Sequence, residues 1–346
     1  MTDTLLAEIR EQPERWRRLA ADGAAAELAA RLAGSRPPLV RLAAHGTSDH
    51  AAMYATYALR LLCGWTALRD SMSLALYYGA PAAAAGEVAI GLSQSGETPD
   101  VVAWLRAASA AGATTVAATN DGGSSLASAA SATLPLLAGE EHSIAATKTY
   151  TCTLAALALL GAHAAGRGPE FAGMLRATAD LAEETLPELE RAAAAAAERT
   201  AGTSRMYVVA RGIEVATAFE VALKLTEVAY VAAKALTTTG MAHGPVAALD
   251  AGFPVWVVAS DLATLPAAAE AARRARDAGA PVIGAGAAAG RLDGVAICLP
   301  TPASPGRSPW PARARGRRAA RAARTAAGSA RGPAPPRHLR KVTAAA

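Results

Sequence analysis

Cysteine and aromatic side chains are scarce in this 346-residue sequence: three Cys and three Phe, with aromatics at 4% of all residues. Cys63, Cys152 and Cys298 are odd in number and set among apolar neighbours. That excludes a disulfide-stapled fold and reads as reduced core thiols of a cytoplasmic protein. No Cys/His cluster has ligand spacing, so no metal site is expected. No run of about 18 uncharged apolar residues occurs, which excludes a membrane-spanning helix. Met1 to Arg18 is charged and lacks the apolar core of a secretory signal. With few aromatics and 52% hydrophobic residues, alanine, leucine and valine must build the core. Such small side chains suit close helix–sheet packing, and the length suffices for two domains of ordinary size.

Acidic residues are absent from one region. From Pro300 to Ala346 there are ten Arg, one Lys and neither Asp nor Glu. Setting those 11 of the 34 basic residues aside leaves 23 against 29 acidic ones, so the body carries about −6 and the formal +5 belongs to the tail. A nucleic-acid partner is therefore not expected despite the basic balance. Residues 303–337 mix Pro, Gly, Arg and Ala without helical or strand periodicity. A segment of that composition buries no core, so 301–346 is expected to be disordered or the product of a compensated frameshift.

Elsewhere the chain alternates between two patterns. Thr4–Leu32 has helical spacing, with Pro13 expected to interrupt it. Apolar runs Pro38–Ala44, Val88–Leu92, Thr115–Ala118 and Thr133–Leu137 read as buried parallel strands. Helical patterns at Ser48–Leu62, Pro99–Ala111, Ser124–Ala130 and Ala145–Ala165 separate or follow them. The acidic Glu170–Thr200 segment predicts one or two connecting helices. A second set follows: strands Met206–Ala210, Pro254–Ala259, Pro281–Gly284 and Val295–Leu299, with helices Glu214–Ala235 and Leu262–Ala278. Two βαβ sets predict two doubly wound α/β domains, at 33–168 and 201–300. A helical segment at 1–32 precedes them and a helical connector at 169–200 joins them.

Two segments carry chemistry. In Gly91-Leu92-Ser93-Gln94-Ser95-Gly96-Glu97-Thr98-Pro99-Asp100 a strand enters, a small polar loop turns and a helix leaves. Thr98 suits the N-cap and Pro99 the first helical position. The helix N-terminus offers unpaired N–H groups to a phosphate, and Ser93, Ser95 and Thr98 add hydroxyl donors. The second segment, Glu220 to Glu227, places Glu220, Lys224 and Glu227 on one side of a helix. A loop with His243 follows, in Met241-Ala242-His243-Gly244-Pro245. Taken on spacing alone, a solvated charged face and a surface histidine are the favoured explanation of this segment.

The string SQSGET resembles the phosphate-binding loop of the sugar-isomerase (SIS) family. His45-Gly46-Thr47-Ser48 is similar to that family's first substrate loop, and Glu141-His142-Ser143-Ile144-Ala145-Ala146-Thr147-Lys148-Thr149 to its third. ALKLTE followed by GMAHGP is similar to the second SIS domain of glucosamine-6-phosphate synthase and of related deaminases. The similarity runs from Glu8-Ile9-Arg10-Glu11-Gln12-Pro13 to about Pro300.

The resemblance implies two SIS domains in tandem and sugar-phosphate isomerase chemistry with no cofactor. Glu227 would move a proton between C1 and C2 through an enediol-type intermediate. Lys224 would stabilise the negative oxygen, and His243, from the neighbouring subunit of a homodimer, would assist ring opening. Ser93, Gln94, Ser95 and Thr98 would hold the phosphate. Thr47 and Ser48 would contact the sugar, beside Glu220 and Ala146. The family has a serine where Ala146 stands, so one contact is expected to be lost. Lys341, in His338-Leu339-Arg340-Lys341-Val342-Thr343, matches a lysine near the family's terminus. Thr2 stands where a glutaminase domain has its nucleophilic cysteine, so glutamine hydrolysis is not expected. The implied function is deamination of glucosamine 6-phosphate to fructose 6-phosphate and ammonia. A fructosamine-6-phosphate deglycase, another phosphosugar isomerase and a non-catalytic phosphosugar sensor are the alternatives.

Overall fold

The computed structural model describes residues 2–33, 37–292 and 295–298, with the backbone alone at 2–3, 33 and 295–298. In chain order the first part comprises α1 (Thr2–Ala21), α2 (Ala24–Ala33), β1 (Val40–Ala43), α3 (Gly46–Leu62), β2 (Ala67–Arg69), α4 (Met72–Tyr78), β3 (Val88–Leu92), α5 (Pro99–Ala110), β4 (Thr114–Thr119), α6 (Ser125–Ser128), β5 (Ala132–Pro135), α7 (Lys148–Ala164) and α8 (Gly168–Arg199). The second comprises β6 (Arg205–Ala210), α9 (Val215–Ala229), β7 (Ala232–Thr237), α10 (Thr238–Ala242), β8 (Val255–Val258), α11 (Leu265–Asp277), β9 (Val282–Gly286) and β10 (Val295–Cys298).

The strands make two five-stranded sheets, β2-β1-β3-β4-β5 and β10-β9-β8-β6-β7. Every pairing is parallel, with registers such as Val40↔Val88 and Tyr207↔Val255. Counted from its own first strand, the second sheet repeats the order of the first. In each, the chain leaves its first strand toward one edge and later crosses to the other side. That reversal opens a crevice at the carboxyl ends of the first and third strands.

β3, sequence VAIGL, is buried at all five positions because helices cover both of its faces. Val88, Ile90 and Leu92 pack with Leu28 of α2, Leu59 of α3 and Leu157 and Leu160 of α7. Ala89 faces Trp104 and Leu105 of α5 and Leu126 of α6. A side chain at Gly91 would begin 3.1 Å from Leu126 and Val101, so both would have to give way to admit it. Each fully buried leucine or isoleucine here contributes about 1.5–3 kcal/mol. Around the second sheet alanine does the same work: Ala268, Ala271, Ala272 and Ala275 form one buried stripe of α11.

Several elements differ from the sequence expectation. Pro13 does not break α1. Its missing N–H would leave the carbonyl of Ile9 unpaired, and the side-chain amide of Gln12 donates to that carbonyl at 3.1 Å. The chain turns instead at Asp22–Gly23. The segment expected to form one or two helices is, within that expectation, one 32-residue helix, α8, which lies along α1 through the pairs Arg10–Glu190, Arg17–Asp180 and Arg17–Glu183. The helix expected to run to Ala235 stops at Ala229, where Tyr230 adopts φ 55°, and β7 follows as an edge strand. The helix expected from Ala145 starts at Lys148, and the one from Leu262 starts at Leu265. Edge strand β2 and helix α4 were not anticipated. Among the described residues no helix is long and apolar enough to cross a membrane. The tail and Lys341 lie outside the described residues.

Candidate functional site

The loops leaving β1 and β3 flank the crevice of the first sheet. After β3, Gly96 adopts φ +69°, a conformation that glycine takes without strain. A Cβ there would lie 2.0 Å from Ser124 Oγ and 2.9 Å from Thr119 Oγ1. The amide of Asn120 and the hydroxyl of Thr119 hold the Gln94 carbonyl at 3.0 and 3.1 Å. Thr98 stands at the N-cap as expected, but its hydroxyl does not cap the helix; it bonds Ser93 Oγ at 2.8 Å. Ser95 Oγ accepts the Glu97 amide at 3.2 Å, and Glu97 in turn accepts the Ser125 amide at 2.8 Å. Ser93 is buried and Ser95 exposed.

Replacing Gly96 with alanine combines a strained φ with overlap on Ser124. The variant should lose about 2–4 kcal/mol of stability by urea denaturation. A wild-type midpoint would show that the loop relaxes freely.

A cavity of about 80 Å³ opens between the first loop and the start of α7. His45, Thr47, Ser48 and Gln94 line one side, and Ala146, Thr149, Tyr150 and Thr153 the other. The α7 side is set by the Glu141 carboxylate, which accepts the amides of Thr147 and Lys148 at 2.6 and 2.9 Å and the Thr147 hydroxyl at 3.0 Å. It satisfies donors that the helix cannot, and its charge complements the helix N-terminus.

Behind this turn lies an ion cluster absent from the expectation. Lys148 is 1% exposed, with Nζ 2.9 Å from Glu11 Oε2 and 3.8 Å from Glu8 Oε1. Glu8 also accepts the amides of His142 and Ser143. Burial acts to raise the Glu8 carboxyl, but hydrogen bonds from Ser143 and His142 and the charge of Lys148 outweigh it and hold it below its usual value. Glu11 is held down by Arg15 and Lys148. α1 is thus tied to the third loop.

The helix face expected on α9 points at α3. Thr47 donates to Glu220 Oε1 at 3.0 Å and accepts from Lys224 Nζ at 3.1 Å. Lys224 Nζ also donates to Glu227 Oε2 at 2.7 Å and lies 3.3 Å from Glu220 Oε1. His50 Nδ1 is 2.7 Å from Glu220 Oε2, and its ring packs near Phe219. Glu220 is 5% exposed; Lys224 and Glu227 are only part-buried and remain accessible. Thr47 therefore belongs to both the cavity and the charged network, which joins side chains more than 170 positions apart. Sequence reasoning passed over His50, although its i, i+3 spacing from Thr47 on one helix marks it.

His243 stands apart, exposed at the end of α10, and its ring makes no hydrogen bond or ion pair with a described residue. His45 Nε2 lies 3.4 Å from Asp100 Oδ2, both on the surface.

A doubly wound α/β protein with a hydroxyl-rich loop at the switch point and a carboxylate–ammonium network beside it is the class defined so far. Residues 40–162 match the SIS domain family model. A provisionally assigned phosphosugar isomerase from Silicibacter pomeroyi DSS-3 shares 33% identity and a TM-score of 0.72, over 86% of this chain and 89% of that one. The chain belongs to the SIS, or sugar-isomerase, domain family. It is 34% identical over 268 residues to the isomerizing glutamine–fructose-6-phosphate aminotransferase of Aeropyrum pernix, covering 74% of this chain and 43% of that protein. It thus spans less than half the length of the curated relatives it matches. The C-terminal domain of glucosamine-fructose-6-phosphate aminotransferase from Francisella tularensis shares the fold, at TM-score 0.78 and 24% identity over 86% and 88% of the two chains.

Proposed function

We propose that the chain is an amino-sugar-phosphate deaminase with aldose–ketose isomerase chemistry, acting on glucosamine 6-phosphate without glutamine hydrolysis. The observation that carries this reading is the Lys224 ammonium held between Glu227 and the cavity hydroxyl of Thr47. It puts a proton acceptor and a fixed cation next to the crevice that the phosphate loop borders. In the opened sugar, Glu227 takes the proton from C2 and returns it at C1. Lys224 stabilises the negative charge that develops between those steps. The product is an imine at C2, and water converts it to fructose 6-phosphate and ammonia. Ser93, Gln94, Ser95 and Thr98 hold the phosphate at the start of α5.

In this reading the second sheet is a second SIS unit that supplies α9, and its repeated strand order supports that assignment. The working form is a homodimer in which His243 serves the partner's site. Its exposure is consistent with that role, as is the exposure of Ile144 and Tyr230 at 80% and 81%. Purified protein given glucosamine 6-phosphate, with no glutamine present, should release ammonia and fructose 6-phosphate in equal amounts. Binding without release would point to a fructosamine phosphate as the substrate or to a sensor. An absence of binding would end the phosphosugar reading.

A further inference from the structure

The α7 wall of the cavity holds two hydroxyls that make no well-formed hydrogen bond among the described residues. Thr149 Oγ1 and Tyr150 Oη are both buried, on residues 3% and 8% exposed, and among the described residues neither has a hydrogen-bond partner of normal geometry. Unpaired buried hydroxyls are uncommon, and each costs about 1–3 kcal/mol. The two are adjacent in sequence, and both residues line the same cavity. Thr153, one turn further along the same face, is satisfied by the Thr149 carbonyl at 2.7 Å, so the wall as a whole is not deprived of partners. Ala146 offers only a methyl group at its end. The Glu220 carboxylate and Thr217 lie close enough to Tyr150 to act on its hydroxyl. Burial first, and the Glu220 charge second, push that phenol well above its ordinary range, so it stays a neutral donor.

We propose that Thr149 and Tyr150 are specificity-determining residues whose hydroxyls bond the polar substituents on the carbon chain of a sugar phosphate. This rests on the phosphosugar reading of the site. The phosphate loop anchors one end of the ligand without regard to the sugar, whereas the α7 wall reads what the sugar carries. A site with buried polar groups waiting for a partner rejects a ligand that leaves them unpaired.

The test uses the full chain with Tyr150→Phe and Thr149→Val, titrated with fructose 6-phosphate and with inorganic phosphate by calorimetry. Each variant should bind fructose 6-phosphate about tenfold more weakly, the loss of one hydrogen bond, and inorganic phosphate as the wild type does. Free of ligand, each should melt at or above the wild-type temperature, because an unpaired buried hydroxyl has been removed. Ala146→Ser placed in the Tyr150→Phe background should recover part of the lost affinity. Unchanged affinity for fructose 6-phosphate, or a lowered melting temperature with equal losses for both ligands, would overturn the proposal and leave the phosphosugar reading intact. A wild type that binds inorganic phosphate but no sugar phosphate, or neither, would overturn both.

Discussion

Glu227→Gln should lower turnover of the sugar phosphate by about 10²–10⁴-fold while leaving its binding unchanged. The amide keeps an oxygen that accepts from Lys224, now at 2.7 Å, so the geometry of the network is retained. What it loses is the capacity to take up a proton, the step on which the proposed isomerisation depends. Single-turnover rates and a binding titration on the same sample separate the two effects. Glu220→Gln is the informative contrast. Glu220 is buried and holds Thr47 and His50, so its change should weaken binding as well as rate. Full activity in Glu227→Gln would remove that residue from the chemistry.

The largest effect on stability is expected at Lys148. Methionine there keeps the length of the side chain but leaves Glu8 with two amides and no cation, and Glu11 with Arg15 alone. Deleting one partner of a buried ion pair costs about 3–5 kcal/mol, chiefly through the stranded charge. Urea unfolding followed by circular dichroism should show that loss. Glu8→Gln in the same chain should restore part of it, because the stranded charge goes with it.

The same cluster sets a pH dependence. Glu8 and Glu11 have folded values below the ordinary 4.5. Their contribution is therefore present above about pH 4.5 and is lost as pH falls through the lower folded values. Wild-type stability should fall in that acid window, and less steeply in Glu8→Gln. A Lys148→Met midpoint equal to wild type would mean that α1 is held by its apolar face and its ion pairs with α8, without the Lys148 cluster.

Much of this protein was determined by local chemistry that a sequence displays. β3 and β4 are buried on both faces, so their apolar runs stand out at any position in the chain. The loop from Ser93 to Thr98 carries its own turn glycine and helix start, and the 220–227 segment carries a helix face with three charges. The tertiary structure decided the rest, because it depended on partners distant in sequence. β2 and β7 lie at sheet edges, where one side is open and the apolar signal is weak; β7 was absorbed into a helical pattern that Tyr230 ends by its left-handed backbone. Thr98 has the residue type of a cap, yet Ser93 competes for its hydroxyl once the loop is closed by Thr119 and Ser124. Periodicity fixes the direction in which Glu220, Lys224 and Glu227 point. Only the packing of α9 on α3 supplies Thr47 and His50 to meet them, since the pairing energy lies in contacts 170 or more residues apart that no local pattern encodes.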